Sequence, residues 1–133
     1  MKPELCYLAL VTALTAVLWV PYALNRIAVL GLIPTVGYPV NPPPLAPWAQ
    51  RLKNAHANAV ENLVVFATLV LLANSLGISG PAIAMSAMVY FWARVVHVIA
   101  YTFAIPWVRT LAFTAGWLAQ LCIAWQILMP HAA

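Results

Sequence analysis

The residues able to do chemistry are few, and they gather. From Arg51 to Asn62 the chain reads Arg-Leu-Lys-Asn-Ala-His-Ala-Asn-Ala-Val-Glu-Asn, and apolar residues Leu63-Val-Val-Phe66 follow at once. Glu61 is one of two acids in the chain and the only one past the fourth position. A carboxylate beside a bilayer core costs several kcal/mol unless partnered, so it marks a site by default; the plainer reading is one interfacial salt bridge. Further on, Arg94, His97 and Tyr101 are spaced by three and four, and Arg109 and Thr110 follow Pro106. At ~100° per residue Arg51, Asn54, Asn58 and Glu61 fall on one helical face, with His56 pointing elsewhere, and Arg94, His97 and Tyr101 form a second stripe. These two faces predict a Glu61–Arg94 pair between helices. Arg26, Arg51, Lys53 and Arg109 are then left without an acid, and surplus cations around a polar cleft imply an anionic ligand.

The elements that must hold these residues are membrane helices. Only eight of 133 residues are charged, and the mean hydropathy is +0.94; a soluble domain of this size would need more charge to cover its surface. Four apolar stretches, roughly 5–25, 54–76, 82–103 and 107–129, are each long enough to cross ~30 Å of hydrocarbon. The fold expected is all-α: one transmembrane domain, residues 1–133, built as an integral membrane four-helix bundle. The first stretch is too long for the apolar region of a signal peptide and lacks a clean cleavage site, so it is read as a retained helix bent at Pro21. Gly77, Gly80 and Pro81 separate the second and third helices, Pro106 opens the fourth and Pro130 ends it. Residues 31–48 form the one long loop, whose prolines 34, 39, 42, 43, 44 and 47 favour extended geometry: a stiff spacer, or a lid beside a site.

Several functions are excluded. Cys6 and Cys122 lie in apolar helices and are expected as small buried residues, not a disulfide. The histidines, of which His131 lies in the tail, lack metal-ligand spacing, so no metal site is expected. A net charge of +4 is too scattered for a nucleic-acid surface. There is no repeat, second domain or glycine-rich phosphate loop. The charges do predict orientation. Arg26, Arg51, Lys53 and Arg109 lie at one end and only Lys2, offset by Glu4, at the other, so the long loop should face the cytoplasm and both termini the opposite side. Small residues of the fourth helix, Ala112 with Gly116 or Ala115 with Ala119, would permit close helix contact.

The segments RLKNAHANAVENLVVF, RVVHVIAY and IPWVRT, in that order and at these separations, resemble the membrane-associated proteins in eicosanoid and glutathione metabolism. That family includes microsomal glutathione transferases, and the resemblance spans the chain. It implies a homotrimer with glutathione as cosubstrate, bound between neighbouring subunits near the cytoplasmic surface. It implies that Asn58 and Glu61 hold the tripeptide's backbone and amino group, that Arg94, His97 and Tyr101 occupy the third-helix site positions, and that Arg26 lines the same site. Arg109 matches the arginine proposed to stabilise the thiolate, with Thr110, or less directly Tyr101, as a hydrogen-bond donor to the sulfur. The chain departs from the family pattern at Asn54, where an arginine is usual, and from its prostaglandin-synthesising branch at Ala57, Thr110 and Phe113. Arg51 or Lys53 would have to supply the missing charge on glutathione's carboxylates. The expected function is that of a glutathione transferase or peroxidase acting on lipophilic electrophiles or lipid hydroperoxides drawn from membrane lipid. The alternative is a non-catalytic protein of the same fold that binds glutathione, a lipid headgroup or a partner helix.

Overall fold

The computed structural model describes residues 1–129; Pro130 and His131, to which the sequence assigns a helix stop and a tail, lie outside them. The described secondary structure is entirely helical: α1 (Pro3–Val17), α2 (Trp19–Leu30), α3 (Leu32–Val36), α4 (Pro47–Ser75), α5 (Pro81–Thr102) and α6 (Pro106–Leu128). Four spans, Pro3–Leu30, Pro47–Ser75, Pro81–Thr102 and Pro106–Leu128, are long and apolar enough to cross a membrane. The protein is therefore a multi-pass four-helix membrane bundle.

Prolines organise the helices. Each span opens on one, Pro3, Pro47, Pro81 or Pro106, where the missing N–H would have no partner anyway. Within the first span, Pro21 cannot donate to the Val17 carbonyl, and its ring crowds that oxygen. The helix breaks there: α1 stops at Val17 and α2 resumes at Trp19. The second span starts at Pro47, earlier than the hydropathy limit near residue 54. Its polar first turns are helical because Ala49 and Leu52 are buried. At ~1.5 Å per residue its 29 residues reach ~43 Å, so the first turns stand clear of the hydrocarbon.

The proline-rich loop is tied down at its root. Arg26 Nη1 donates to the Pro43 carbonyl, and the Ala46 N–H donates to Asn25 Oδ1 at 3.1 Å. α3 interrupts the extended run, with Pro34 in its first turn.

α4 and α5 form the centre of the bundle; α1 and α6 each pack against both, α6 most extensively against α5. One apolar cluster joins Val11, Phe66, Val70, Tyr90 and Ile123, with Phe66 and Tyr90 stacked at 3.8 Å. A second, toward the loop end, joins Leu18, Leu52, Ala59 and Val98. Between the two levels α5 carries Arg94 and His97, both only 2 % exposed. Ala112, Gly116 and Ala119 are buried on α6, and a Cβ on Gly116 would lie 3.7 Å from Ala93 and Tyr90 of α5. That small-residue face is thus occupied within the chain. The two cysteines are free, and Cys6 is exposed on α1; the expectation that it is buried fails because α1 turns Glu4, Val11 and Thr15 inward instead.

Candidate functional site

α4 carries two polar faces, separated by its packing ridge. Ala55, Ala59, Phe66 and Val70 define the buried side. Arg51, Asn58 and Asn62 flank it on one edge and are half-buried. Asn54 and Glu61 lie about 40° and about 60° further round the helix from Asn58 and are exposed. Lys53 and His56 fall on the far edge; His56 Nδ1 there meets the Tyr22 hydroxyl at 2.7 Å.

The expected Glu61–Arg94 pair does not form. Arg94 Nη2 donates to Asn58 Oδ1 at 2.7 Å, and no acid among the described residues comes within ion-pair reach of it. Glu61 sits too far around α4. Arg94's own stem is drawn toward α6, its Cδ lying 3.9 Å from where a Gly116 Cβ would be. Guanidinium only donates, so the amide oxygen of Asn58 has to face it. Asn62 Nδ2 adds a bond to the Asn58 carbonyl at 2.9 Å, and Gln120 Nε2 of α6 donates to the Asn62 carbonyl at 3.1 Å. Arg94 Nε and His97 Nδ1 remain buried without a partner.

Beside this layer α4, α5 and α6 enclose a cleft of about 270 Å³, lined by Asn58, His97, Tyr101, Arg109, Thr110 and Phe113. The Arg109 guanidinium lies over the Tyr101 ring, 4.8 Å from its centre. His97 packs edge-on to Tyr101 at 5.6 Å and against Phe113 at 6.1 Å. Thr110 Oγ1 donates back to the Pro106 carbonyl at 3.2 Å. The cleft has one exposed cation, an amide, two hydroxyls and an aromatic wall, and no acid. It can receive an anionic, peptide-like group and hold its negative end against Arg109.

Of the residues singled out in the sequence, Asn58, His97, Tyr101, Arg109 and Thr110 thus meet in one cleft, with Arg94 immediately behind Asn58. Arg51 lines the next cavity, which shares the Tyr101 and Arg109 wall. Arg26 and Lys53 line a different cavity, with Tyr22 and Thr35, on the α2 side of α4. Asn54 is exposed and accepts a hydrogen bond from Gln50 Nε2 at 3.0 Å. Sequence reasoning passed over Asn62 and Gln120; the spacing of four from Asn58 to Asn62 was the available signal, while Gln120 had none beyond being polar in an apolar helix. Among the described residues no cluster of side chains could hold a metal ion.

The sequence model of the MAPEG family matches residues 7–129 of the chain. A search of curated proteins returned no significant match.

Proposed function

We propose, since the chain belongs to the MAPEG family, that it is a membrane glutathione transferase acting on lipophilic electrophiles. The supporting observation is the acid-free cleft in which Arg109 stands over Tyr101 beside Asn58, His97 and Thr110. Glutathione is the cosubstrate in this reading. A free thiol with a pKa of about 8.5 is only ~3 % thiolate at pH 7, and the thiolate is the nucleophile. Arg109 lies in the first turns of α6, where its charge adds to the positive end of the helix dipole. Lowering the bound thiol's pKa by about two units would raise the thiolate fraction roughly 25-fold. Tyr101 is the readier hydrogen-bond donor to the sulfur, because Thr110 already donates to Pro106.

The thiolate then forms an S–C bond to the electrophile, whose leaving group departs with the bonding pair. With a hydroperoxide it attacks the terminal oxygen and expels alkoxide, which takes a proton from water. A second glutathione reduces the resulting sulfenic acid to disulfide and water.

Asn58 would bind the tripeptide backbone through its free amide N–H groups. Glu61 faces outward and Arg26 and Lys53 lie beyond α4, so these three reach the ligand only from a neighbouring copy. The reading therefore carries a homotrimer with it, and a cytoplasmic position for the site end.

Titrating glutathione into the purified protein while following ultraviolet thiolate absorbance and turnover of a generic electrophile tests this. A thiolate signal with turnover supports it; silence in both sinks it. Binding without turnover would favour the second reading, a non-catalytic glutathione-binding protein of the same fold.

A further inference from the structure

Asn58 is the one amide lining the cleft, and the way its side chain is turned decides what it can offer a ligand. Arg94 Nη2 donates to its Oδ1 at 2.7 Å, and Asn62 Nδ2 reaches the same oxygen at 3.3 Å. Turning the amide over would set its NH2 group against two donors, so the oxygen stays inward and the donor side is left for the cleft. Asn62 is held in turn. Its Nδ2 also donates to the Asn58 backbone carbonyl at 2.9 Å. Its own carbonyl receives Gln120 Nε2 of α6 at 3.1 Å, on the lone pair that the helix ladder leaves over.

Packing alone does not call for Gln120. It is buried, 4 % exposed, between Ala119 and Leu121 of a membrane span, where an amide has to find its partners inside the protein. An apolar side chain of the same length would fill the space without that need. Gln120 shares a stripe of α6 with two residues of the cleft. Phe113 and Gln120 follow Arg109 by four and eleven positions, which leaves all three within about 40° of the helix surface. The face of α6 that supplies Arg109 is thus tied to α4 three turns further along. The tie bears on Asn58 because the margin there is narrow. A turn of α4 by about 40° about its own axis would carry Asn58 to where Asn54 now stands, on exposed surface and away from Arg94.

We propose that Gln120 and Asn62 are positioning residues for the cleft: Gln120 fixes α4 against α6, and Asn62 passes that constraint to the Asn58 amide, whose NH2 group is thereby aimed at an acceptor atom of the ligand. Neither residue lines the cleft, so both act through Asn58. That the ligand is glutathione rests on the transferase reading; the orientation of Asn58 does not.

The test uses the protein in lipid nanodiscs. With asparagine side-chain nitrogens isotope-labelled, the Asn58 NH2 resonances are those lost in Asn58→Ala, or in Asn58→Ala with Arg94→Met should the single variant not fold. In ligand-free protein, Gln120→Met and Asn62→Leu should each shift these resonances and speed their hydrogen exchange. Resonances that stay put in either variant overturn the proposal, whether or not glutathione binds. Glutathione affinity is then measured in a double-mutant cycle. Asn62→Leu should weaken binding about five- to tenfold, the worth of one hydrogen bond to the ligand, but by less than about twofold in the Asn58→Ala background. Turnover should show the loss in KM for glutathione with kcat held, because Arg109 is undisturbed. Equal losses of affinity in the two backgrounds, or a loss confined to kcat, make Asn62 a general support of the bundle and overturn its positioning role. If the resonances respond as expected and wild type binds no glutathione, the transferase reading fails while the orientation of Asn58 by Asn62 and Gln120 stands.

Discussion

Arg94 is a buried guanidinium whose one side-chain partner is the Asn58 oxygen, 2.7 Å away, and the energetics of the polar layer follow from that. Asn58→Ala would strip a buried charge of its acceptor, a loss of about 2–3 kcal/mol for a hydrogen bond to an ionised group. Arg94→Met in the same chain removes the charge that needed satisfying, and apolar replacement of a buried ionic group is often neutral or better. Thermal unfolding in detergent should therefore show Asn58→Ala well below wild type and the double variant recovering most of the loss; additive losses would mean that Arg94 is hydrated by another route. Arg109 makes a different prediction, since it stands at the cleft and holds nothing together. Arg109→Ala should leave glutathione affinity within a few-fold while eliminating the bound-thiolate absorbance and lowering kcat by at least tenfold. An unchanged kcat would reduce Arg109 to an interfacial anchor. The grouping of Asn58, His97, Tyr101, Arg109 and Thr110 was legible in the sequence because helical spacing alone puts them on facing stripes. The place of Glu61 was not. Arg51, Asn54, Asn58 and Glu61 spread over roughly 80° of arc, and the boundary between packed and open surface runs through that arc, between Asn58 and Glu61. Spacing gives the arc; only the packing of α5 and α6 says where it is cut.

At the level of elements, α4 and α5 end in the same way with different residues. α4 closes with Gly77 at φ +70° and an Ile78 N–H bond to Ala73 at 2.9 Å. α5 closes with Ala104 at φ +59° and an Ile105 N–H bond to Ala100 at 2.8 Å. Both are left-handed caps in which glycine is the usual residue, and an alanine there costs about 1 kcal/mol through its Cβ. Ala104→Gly should accordingly raise the unfolding midpoint, by the equivalent of up to about 1 kcal/mol; a lower midpoint would show that the methyl packs better than its strain costs. Gly116 calls for the opposite reasoning. Its helical backbone needs no glycine, and an added Cβ meets its neighbours at an ordinary 3.7 Å. Gly116→Ala should be neutral or stabilising by a few tenths of a kcal/mol, up to the ~1 kcal/mol helix-propensity gain, whereas Gly116→Leu should separate α5 from α6 and disturb Arg94. The spans, the break near Pro21 and the start at Pro106 could all be read from sequence, because proline acts locally. The α5 cap could not, since an alanine carries no turn signal, and neither could the early start of α4, where polar residues masked a helix held by Ala49 and Leu52.

For the molecule as a whole, the distribution of charge along the bundle axis predicts which way it lies. Arg26, Arg51, Lys53 and Arg109 gather at the end formed by the proline-rich loop and the α5–α6 turn, while the opposite end offers Lys2 and a Glu4 that is only 2 % exposed. Insertion responds to lysine and arginine in short loops near the ends of spans, and acids contribute little. Burial of Glu4 therefore does not change the comparison: the loop end has four cations against one. This asymmetry was legible in the sequence, since it needs only the number of spans and the positions of the charges. What covers the exposed apolar sides of α5 and α6, lipid or another copy, was not legible, because bilayer and protein partners select the same residues. The orientation can be tested on a chain with Cys6 and Cys122 replaced by alanine and one new thiol added. Tyr38→Cys places it in the proline-rich loop, at a fully exposed position, and Ser79→Cys in the short turn between α4 and α5 at the other end. In sealed vesicles with the cytoplasmic face inside, a membrane-impermeant maleimide should react with Ser79→Cys at once and with Tyr38→Cys only after permeabilisation. The reverse pattern would turn the bundle over and place the Arg109 cleft on the side away from the cytoplasm, where the cell's reduced glutathione could not supply it directly.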